Sequence, residues 1–148
     1  MARVFYSAPD VSTLFVEAME TAIRTGSDAF LICRKERLTL SDAAMHAIPT
    51  PLPKALDRVK IIHAQNLTHV QAILSSLHLC MKEICSICID GLDTFFPSST
   101  SEELLWKEVA YTIALATNAA SGLCAMRCDV LVSIEGTGMT AIEPWVSG

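Results

Sequence analysis

Residues 84–96 read ICSICIDGLDTFF, an apolar run that ends in Asp90 and Gly91. A nearly continuous apolar run of this length is typical of a parallel strand that is buried on both faces. Ligands of doubly wound sheets bind at the carboxyl ends of the strands, so a strand ending in a carboxylate can deliver it to a nucleotide site. The stretch therefore predicts a central parallel strand and makes Asp90 a candidate site residue.

The bulk composition indicates one apolar domain. A chain of 148 residues is the size of a single domain, and such a domain buries about 68–70% of the surface that its unfolded chain exposes. The chain is 51% hydrophobic and only 18% charged, with a mean hydropathy of +0.41. We expect a partner to cover part of this apolar surface. Every apolar stretch is interrupted well before the ~20 residues that a membrane-spanning helix needs, so no membrane segment is expected.

The charge and the cysteines limit the classes of function. The formal net charge of −5 argues against a free-standing nucleic-acid binder, which normally has a basic excess. Any contact with DNA must be local or shared with another chain. The beginning of the sequence shows no signal-peptide pattern, so secretion is not expected. The six cysteines lie in apolar segments, where intracellular thiols behave as small hydrophobic groups, and we expect them to be reduced.

Strand and helix patterns alternate along the chain. Strands are predicted at residues 2–8, 28–34, 59–64, 84–89 and 129–135. Helices are predicted at residues 12–26, from a cap at Asn66 or Thr68, and from a cap at Ser99 or Ser101 to about Ser121, with a further short helix at 39–47. This alternation predicts an α/β domain whose mainly parallel sheet carries helices on both faces.

The loop after the first predicted strand, SAPDVSTL at residues 7–14, occupies the place of a phosphate loop. A phosphate loop reads G-x-x-x-x-G-K-[ST], because glycines let backbone amides point at phosphate oxygens and the lysine balances their charge. This loop has neither glycine nor lysine, and it offers only Ser7, Ser12 and Thr13 as hydroxyl groups. Asp10 adds a negative charge, which repels another charge about 4 Å away by roughly 4 kcal/mol at an effective dielectric constant near 20. We expect a degenerate nucleotide site with no catalysis and no cofactor.

Asp90 then has two interpretations. It could be a magnesium ligand, or it could be a structural carboxylate that caps the following turn or hydrogen-bonds the degenerate loop. The missing lysine favours the structural interpretation, in which Asp90 is the vestige of a nucleotide site.

Two other residue classes invite site hypotheses. Cys85 and Cys88 together with Cys124 and Cys128 form two cysteine pairs of the kind that surround zinc. Residues three apart in a strand point to opposite faces, which argues against a zinc site, and no metal is predicted. The four histidines show neither metal nor catalytic spacing and are expected to be structural; they are His46, His63, His69 and His78.

The order of these segments resembles the core of a RecA-like recombinase paralogue over about residues 2–135. The resemblance is carried by VFYSAP followed by a helix, FLICRKERL, RVKIIHAQNLTHVQAILSSL, ICIDGLDTFF and EVAYTIALATNAA. The sequence is most similar to the small RecA-type subunit that pairs with a SWIM-type zinc-finger protein in Shu-type recombination complexes. This resemblance implies a three-layer RecA-like core, here as a single truncated domain over residues 1–148.

The resemblance also implies a function. Such a subunit is non-catalytic and nuclear, forms a heterodimer with the SWIM-type protein, binds single-stranded or branched DNA through a composite surface, and assists recombinase filaments in homologous recombination. FVEA at residues 15–18 resembles the F-x-x-A element that links recombinases into filaments, but it lies within the first helix and is interpreted as packing. Two alternatives are a RecA-like ATPase with an atypical loop and a RecA-like scaffold subunit of a tRNA-modification complex.

Candidate DNA-binding residues follow the second strand. Arg34, Lys35 and Arg37 could contact DNA phosphates, which require only a correctly placed positive charge. The alternative is an ordinary solvated strand exit, which also carries Glu36. Arg58 and Lys60 could extend the same basic patch.

Candidate partner-binding residues are aromatic. Phe95, Phe96 and Trp106 could anchor a partner protein, because aromatic residues dominate interface energetics, or they could belong to the core. The apolar composition favours at least one of them at an interface, together with the exposed side of the helix around Tyr111.

Overall fold

The computed structural model describes residues 2–6, 12–35, 57–77, 84–96, 101–123 and 128–134. In these ranges strands and helices alternate along the chain. The elements are β1 (Ala2–Tyr6), α1 (Ser12–Thr25), β2 (Asp28–Cys33), β3 (Val59–His63), α2 (Leu67–Ser76), β4 (Ile84–Ile89), a 3-10 helix (Leu92–Phe95), α3 (Glu102–Leu123) and β5 (Asp129–Ile134). The predicted α/β class is confirmed.

The strands form one five-stranded sheet in the order β1-β5-β4-β2-β3, and all four neighbouring pairs are parallel. This confirms the predicted parallel sheet within the described ranges. The order differs from the common doubly wound orders, in which the first two strands are adjacent. Here β5 and β4 both lie between β1 and β2. The end of β4 is therefore two strand spacings, roughly 10 Å, from the end of β1.

Helices cover both faces of the sheet because the crossovers run in opposite directions along it. The chain moves from β1 to β2 in one direction, and from β3 through β4 to β5 in the other, and right-handed crossovers then place the helices on opposite faces. Strand alternation divides the buried residues in the same way, so that Leu31 faces one layer and Ile32 the other. None of the helices in the described ranges is long and apolar enough to cross a membrane.

Each face has its own core. The α1 cluster consists of the buried residues Leu14, Phe15, Ala18, Met19, Ala22, Ala29, Leu31, Cys33, Val59, Cys88 and Leu131. The α2/α3 cluster consists of the buried residues Ile32, Ala64, Val70, Leu74, Leu77, Ile84, Ile87, Ile89, Leu92, Phe95, Trp106, Val109, Ala110, Ile113, Ala116, Ala120, Val130, Val132 and Ile134. Phe15 and Ala18 of FVEA belong to the α1 cluster, so this element is packing, as predicted.

A bulge interrupts β4 near its beginning. The pairing of β4 with β2 shifts register between Asp28↔Ile84 and Ala29↔Ser86, which leaves one extra residue in β4. As a result Ile84 and Ile87, three residues apart, both belong to the α2/α3 cluster. The expectation that residues three apart point to opposite faces is therefore wrong across this bulge.

The start of α2 is fixed by a side-chain cap. Asn66 has an extended backbone, and its Oδ1 accepts a hydrogen bond from the His69 N–H at 2.9 Å. Of the two predicted caps, Asn66 is the one that the structure uses, and Thr68 lies within the first turn.

Loss of this cap should be measurable. Asn66→Ala removes the acceptor of an otherwise unsatisfied helix N–H, so we expect it to lower the free energy of unfolding by about 1 kcal/mol. Thr68→Ala is the matched control: it lies one residue inside the helix and should change stability by less than about 0.5 kcal/mol. Urea denaturation of both variants measures the difference, and equal effects would contradict this assignment of the cap.

The start of α3 is also capped by a side chain. Ser101 Oγ accepts a hydrogen bond from the Leu104 N–H at 3.3 Å, while Ser99, the other predicted cap, lies outside the described residues. At its other end α3 continues through Gly122 to Leu123, two residues beyond the predicted end. The predicted helix at 39–47 also lies outside the described residues.

Candidate functional site

The candidate site lies at the carboxyl edge of the sheet, where parallel strands end together. Arg34 and Lys35 directly follow β2, and Asp90 and Gly91 directly follow β4. The chain leaves β1 towards the α1 face and leaves β4 towards the α2/α3 face. The direction of the connections therefore changes across β5, and this is the position at which open α/β sheets bind ligands. The loop containing Ser7 and Asp10 lies outside the described residues.

Asp90 is completely buried, with 0% of its surface exposed. Its Oδ1 accepts a hydrogen bond of 3.1 Å from the hydroxyl of Ser133, the last residue but one of β5. The same Ser133 oxygen accepts a hydrogen bond of 2.7 Å from the Gly91 N–H. A buried carboxyl group requires such partners, because its desolvation is otherwise very costly. Ser133 thus joins the end of β5 to the turn that follows β4.

The turn after Asp90 depends on glycine. Gly91 has φ 54° and ψ 50°, in the left-handed region, which costs other residues roughly 1–2 kcal/mol. Its carbonyl accepts hydrogen bonds from the Thr94 N–H at 2.8 Å and from the Thr94 hydroxyl at 2.6 Å. The Asp-Gly pair in the sequence therefore marks a tight turn, which directs the chain from the buried strand into the 3-10 helix.

The hydrogen bond from Ser133 was not predicted. The structural interpretation of Asp90 named the following turn or the loop at residues 7–14 as its partners, whereas Ser133 comes from a neighbouring strand. One sequence signal points to it: Ser133 is a polar residue in the otherwise apolar end of β5, and it is 2% exposed. A polar residue at such a position needs a hydrogen-bond partner.

The predicted DNA-binding residues have different environments. Arg34 is half-buried, and its Nη1 donates a hydrogen bond of 2.7 Å to the Thr94 carbonyl. This contact connects the end of β2 to the 3-10 helix after β4. Lys35 is exposed, and Arg37 lies outside the described residues. Of the two that the structure describes, Lys35 is the more exposed.

Arg58 does not extend this basic patch. Its Nη1 donates to the Gly26 carbonyl at 2.8 Å and lies 3.8 Å from Asp28 Oδ1. Asp28 begins β2 and Arg58 immediately precedes β3, so Arg58 lies at the amino edge of the sheet. Lys60 is also near the amino end of β3. Five strand residues, about 16 Å, separate this edge from Lys35, and the predicted extension is wrong.

The predicted partner-binding aromatics divide into two groups. Phe95 is 5% exposed and Trp106 is 8% exposed, and both belong to the α2/α3 cluster. Phe96 is partly buried and packs against the same cluster. Tyr111 is 57% exposed. Phe95 and Trp106 therefore stabilise the core, and the interface prediction rests mainly on Tyr111.

The described residues give no support for a metal site. In the described ranges no three histidine, cysteine, aspartate or glutamate side chains lie close enough to hold a metal ion. Cys88 is buried in the α1 cluster, where its Sγ lies 3.8 Å from the Ser86 hydroxyl as a weak donor. The side chain of Cys85 and all of Cys124 lie outside the described part, as do His46 and His78. His69 has a structural contact, because its Nδ1 accepts a hydrogen bond of 3.3 Å from the Gln65 N–H.

Comparison with known proteins assigns no function to this chain, so the inference of function rests mainly on the geometry. Neither a scan with models of protein families nor a search of curated proteins finds a match to this chain. Two kinds of observation therefore bear on function. One is the set of contacts at the carboxyl edge of the sheet, and the other is the resemblance of the sequence segments to those of RecA-like recombinase paralogues.

Proposed function

We propose that this protein is a non-catalytic RecA-like subunit of a heteromeric complex that binds DNA and promotes recombinase filament assembly in homologous recombination repair. The observation that carries the proposal is the buried hydrogen bond between Asp90 and Ser133. It lies at the carboxyl edge of the sheet, where ligands of such sheets bind, and the sequence after β1 has neither glycine nor lysine. In this proposal a parallel sheet of the kind that binds nucleotides is combined with a loop sequence that does not suit a triphosphate.

The parallel sheet supports the RecA-like assignment. A RecA-like core requires helices on both faces of a parallel sheet, and the described residues meet this requirement. It also requires an acidic residue at the carboxyl end of a central strand, near the loop that follows β1. Asp90 follows the central strand β4, and only β5 lies between β4 and β1.

The contacts of Asp90 support a non-catalytic role. A magnesium ion in a nucleotide site takes about six oxygen ligands in octahedral geometry and usually keeps several waters. A carboxyl group that is 0% exposed, with one oxygen accepting a hydrogen bond from Ser133, is poorly suited to such a hydrated ion. The loop sequence has no lysine that would neutralise phosphate charge, and Asp10 adds a negative charge to it.

DNA binding in this proposal is shared with the partner, a SWIM-type zinc-finger protein. The chain has a net charge of −5 and contributes a local basic site, consisting of Arg34 and Lys35 at the carboxyl edge and of Arg37 close to them in sequence. The partner supplies the rest of a composite surface for single-stranded or branched DNA. The complex acts on recombinase filaments in the nucleus.

Charge reversal at Lys35 tests the DNA contact. Lys35→Glu should weaken binding of the complex to single-stranded DNA and reduce the salt dependence of the association constant by roughly one phosphate contact. Because Lys35 is exposed, the substitution should leave folding intact, whereas reversal of Arg34 would also remove its bond to Thr94. Arg24→Glu, an exposed residue in the last turn of α1, is the matched control. If the wild type and Lys35→Glu bind single-stranded DNA with equal affinity at low salt, Lys35 does not contact the DNA.

Purification of the tagged chain from its own cells tests the functional class. The proposal predicts recovery of a SWIM-type zinc-finger protein in stoichiometric amounts. Recovery of a tRNA-modifying assembly would reject it in favour of a scaffold subunit of that assembly. The same preparation provides the complex for the DNA titration.

A further inference from the structure

Asp90 and Gly91 form the only Asp-Gly pair in the sequence. A backbone nitrogen attacks the side chain of a preceding aspartate most readily when it belongs to glycine, because glycine has no Cβ to hinder the approach. This reaction modifies a protein without an enzyme. The pair lies between β4 and the 3-10 helix, so a modification there would alter the candidate site itself.

The reaction has two steps, and water is the only other reactant. In the first step the Gly91 nitrogen forms a bond to Asp90 Cγ. The proton of the nitrogen and the hydroxyl of the carboxyl group leave together as water, which gives a five-membered cyclic imide. In the second step water opens the imide at either carbonyl. Opening at Cγ restores aspartate, whereas opening at the backbone carbonyl gives isoaspartate, in which the chain runs through the side chain.

Ser133 holds both reacting groups at once. Its Oγ accepts a hydrogen bond of 2.7 Å from the Gly91 N–H and donates one of 3.1 Å to Asp90 Oδ1. A serine hydroxyl can make both bonds, because it has one donor and two acceptor lone pairs. It binds the proton that the nitrogen must lose, but a hydroxyl is too weak a base to remove that proton. The contact therefore opposes the attack.

Burial opposes the attack as well. Asp90 is 0% exposed, and Gly91 is also buried. To bring Cγ against the nitrogen, the carboxyl group must leave the Ser133 hydroxyl and turn within a close-packed interior, which leaves little room for it. The Gly91 carbonyl accepts bonds from the Thr94 N–H and the Thr94 hydroxyl, and these fix the backbone of the turn.

We propose that Asp90 and Gly91 form a latent isoaspartate site, which Ser133 keeps unreactive while the carboxyl edge of the sheet is closed. Opening of this edge frees the nitrogen and the carboxyl group together. Isoaspartate adds one carbon atom to the backbone and moves the carboxylate, so the two bonds to Ser133 cannot form again in the same geometry. The modification thus makes a transient opening of the site permanent. This inference goes beyond the proposed function and does not depend on it.

Incubation of the full-length chain in heavy-oxygen water tests the proposal, because each opening of the imide leaves one heavy oxygen atom in residue 90. Digestion in ordinary water followed by fragment mass spectrometry locates the label. Asp93 is the internal control, because the β-branched Thr94 that follows it hinders the attack. We expect the native chain to take up label at residue 90 at least about tenfold more slowly than the same chain in urea, since an opening that costs even about 1.4 kcal/mol reduces the reactive population tenfold.

Variants at position 133 test the role of the hydroxyl. Ser133→Ala should raise the labelling of the native chain by about tenfold or more, because it removes the bonds to both reacting groups. Ser133→Cys, whose thiol makes only weak hydrogen bonds, should also label faster than the wild type, and it provides the comparison if Ser133→Ala does not fold. Ile113→Val, a change in the α2/α3 cluster that leaves the Asp-Gly pair untouched, controls for a general loss of stability. Circular dichroism verifies that each variant is folded at the temperature used.

Four results would overturn the proposal. They are equal labelling of the native and unfolded wild type, no labelling of residue 90 in the unfolded chain, equal labelling of the position-133 variants and Ile113→Val, and slower labelling of the position-133 variants than of the wild type. The last result would mean that the hydroxyl assists the attack instead of opposing it. None of these results bears on DNA binding or on the partner, so the proposed function is tested separately.

Discussion

Trp106→Ala should lower the free energy of unfolding by about 3–5 kcal/mol, the usual cost of truncating a large buried aromatic side chain. Trp106 is 8% exposed and packs in the α2/α3 cluster with Val109 and Ile113 of its own helix. Its removal leaves a cavity that the sheet and the helix can fill only partly. Denaturant unfolding followed by circular dichroism measures the change.

Tyr111→Ala is the control on the same helix. Tyr111 is 57% exposed, so its truncation should change stability by less than about 0.5 kcal/mol. This contrast distinguishes a core residue from an exposed residue among the aromatics of α3. A loss below about 1 kcal/mol for Trp106→Ala, or an equal loss for the two variants, would contradict the packing described for this helix.

Ser133→Ala should have the second largest effect, a loss of about 2–4 kcal/mol. The hydroxyl donates to Asp90 Oδ1 and accepts from the Gly91 N–H, and both of these groups are buried. Removing it takes one hydrogen bond from each, and loss of a hydrogen bond by a buried polar group costs roughly 1–3 kcal/mol. Ser76→Ala, an exposed serine that bonds only the Ile73 carbonyl at 3.0 Å among the contacts described, should cost less than about 0.5 kcal/mol.

A double-mutant cycle isolates the contact with Asp90. Asp90→Asn replaces the carboxyl group by an amide of nearly the same size, which changes the acceptor that Ser133 meets. In that background Ser133→Ala should cost about 1 kcal/mol less than in the wild type. The same cost in both backgrounds would show that Ser133 acts only through the Gly91 N–H, and the role assigned to Asp90 would then be wrong.

The local patterns of the sequence predict the elements well. The apolar run at 84–89 predicts β4, and the alternation of strand and helix patterns predicts the parallel sheet. Asn66, as a predicted cap, marks the start of α2. Each of these depends on residues that are close in sequence. The burial of Trp106 and the exposure of Tyr111 could also have been predicted from the sequence. Trp106, Ala110 and Ile113 share one helical face at helical spacing, and Tyr111 does not lie on that face.

The contacts that define the site could not be predicted in this way. Ser133 meets Asp90 because β5 lies next to β4, and the two residues are 43 positions apart. Strand order results from packing of the whole sheet, and no local pattern encodes it. The bulge in β4 likewise depends on pairing with β2, and the bond from Arg34 to the Thr94 carbonyl spans 60 positions.

The absence of nucleotide binding is the central claim, since it separates a non-catalytic subunit from an ATPase. Titration of the full-length chain with fluorescent ATP and magnesium tests it most directly. We predict no saturable binding up to about 1 mM nucleotide, the upper end of common enzyme–substrate affinities. Saturable binding in the micromolar range that unlabelled ATP displaces and that Asp90→Ala abolishes would contradict the account.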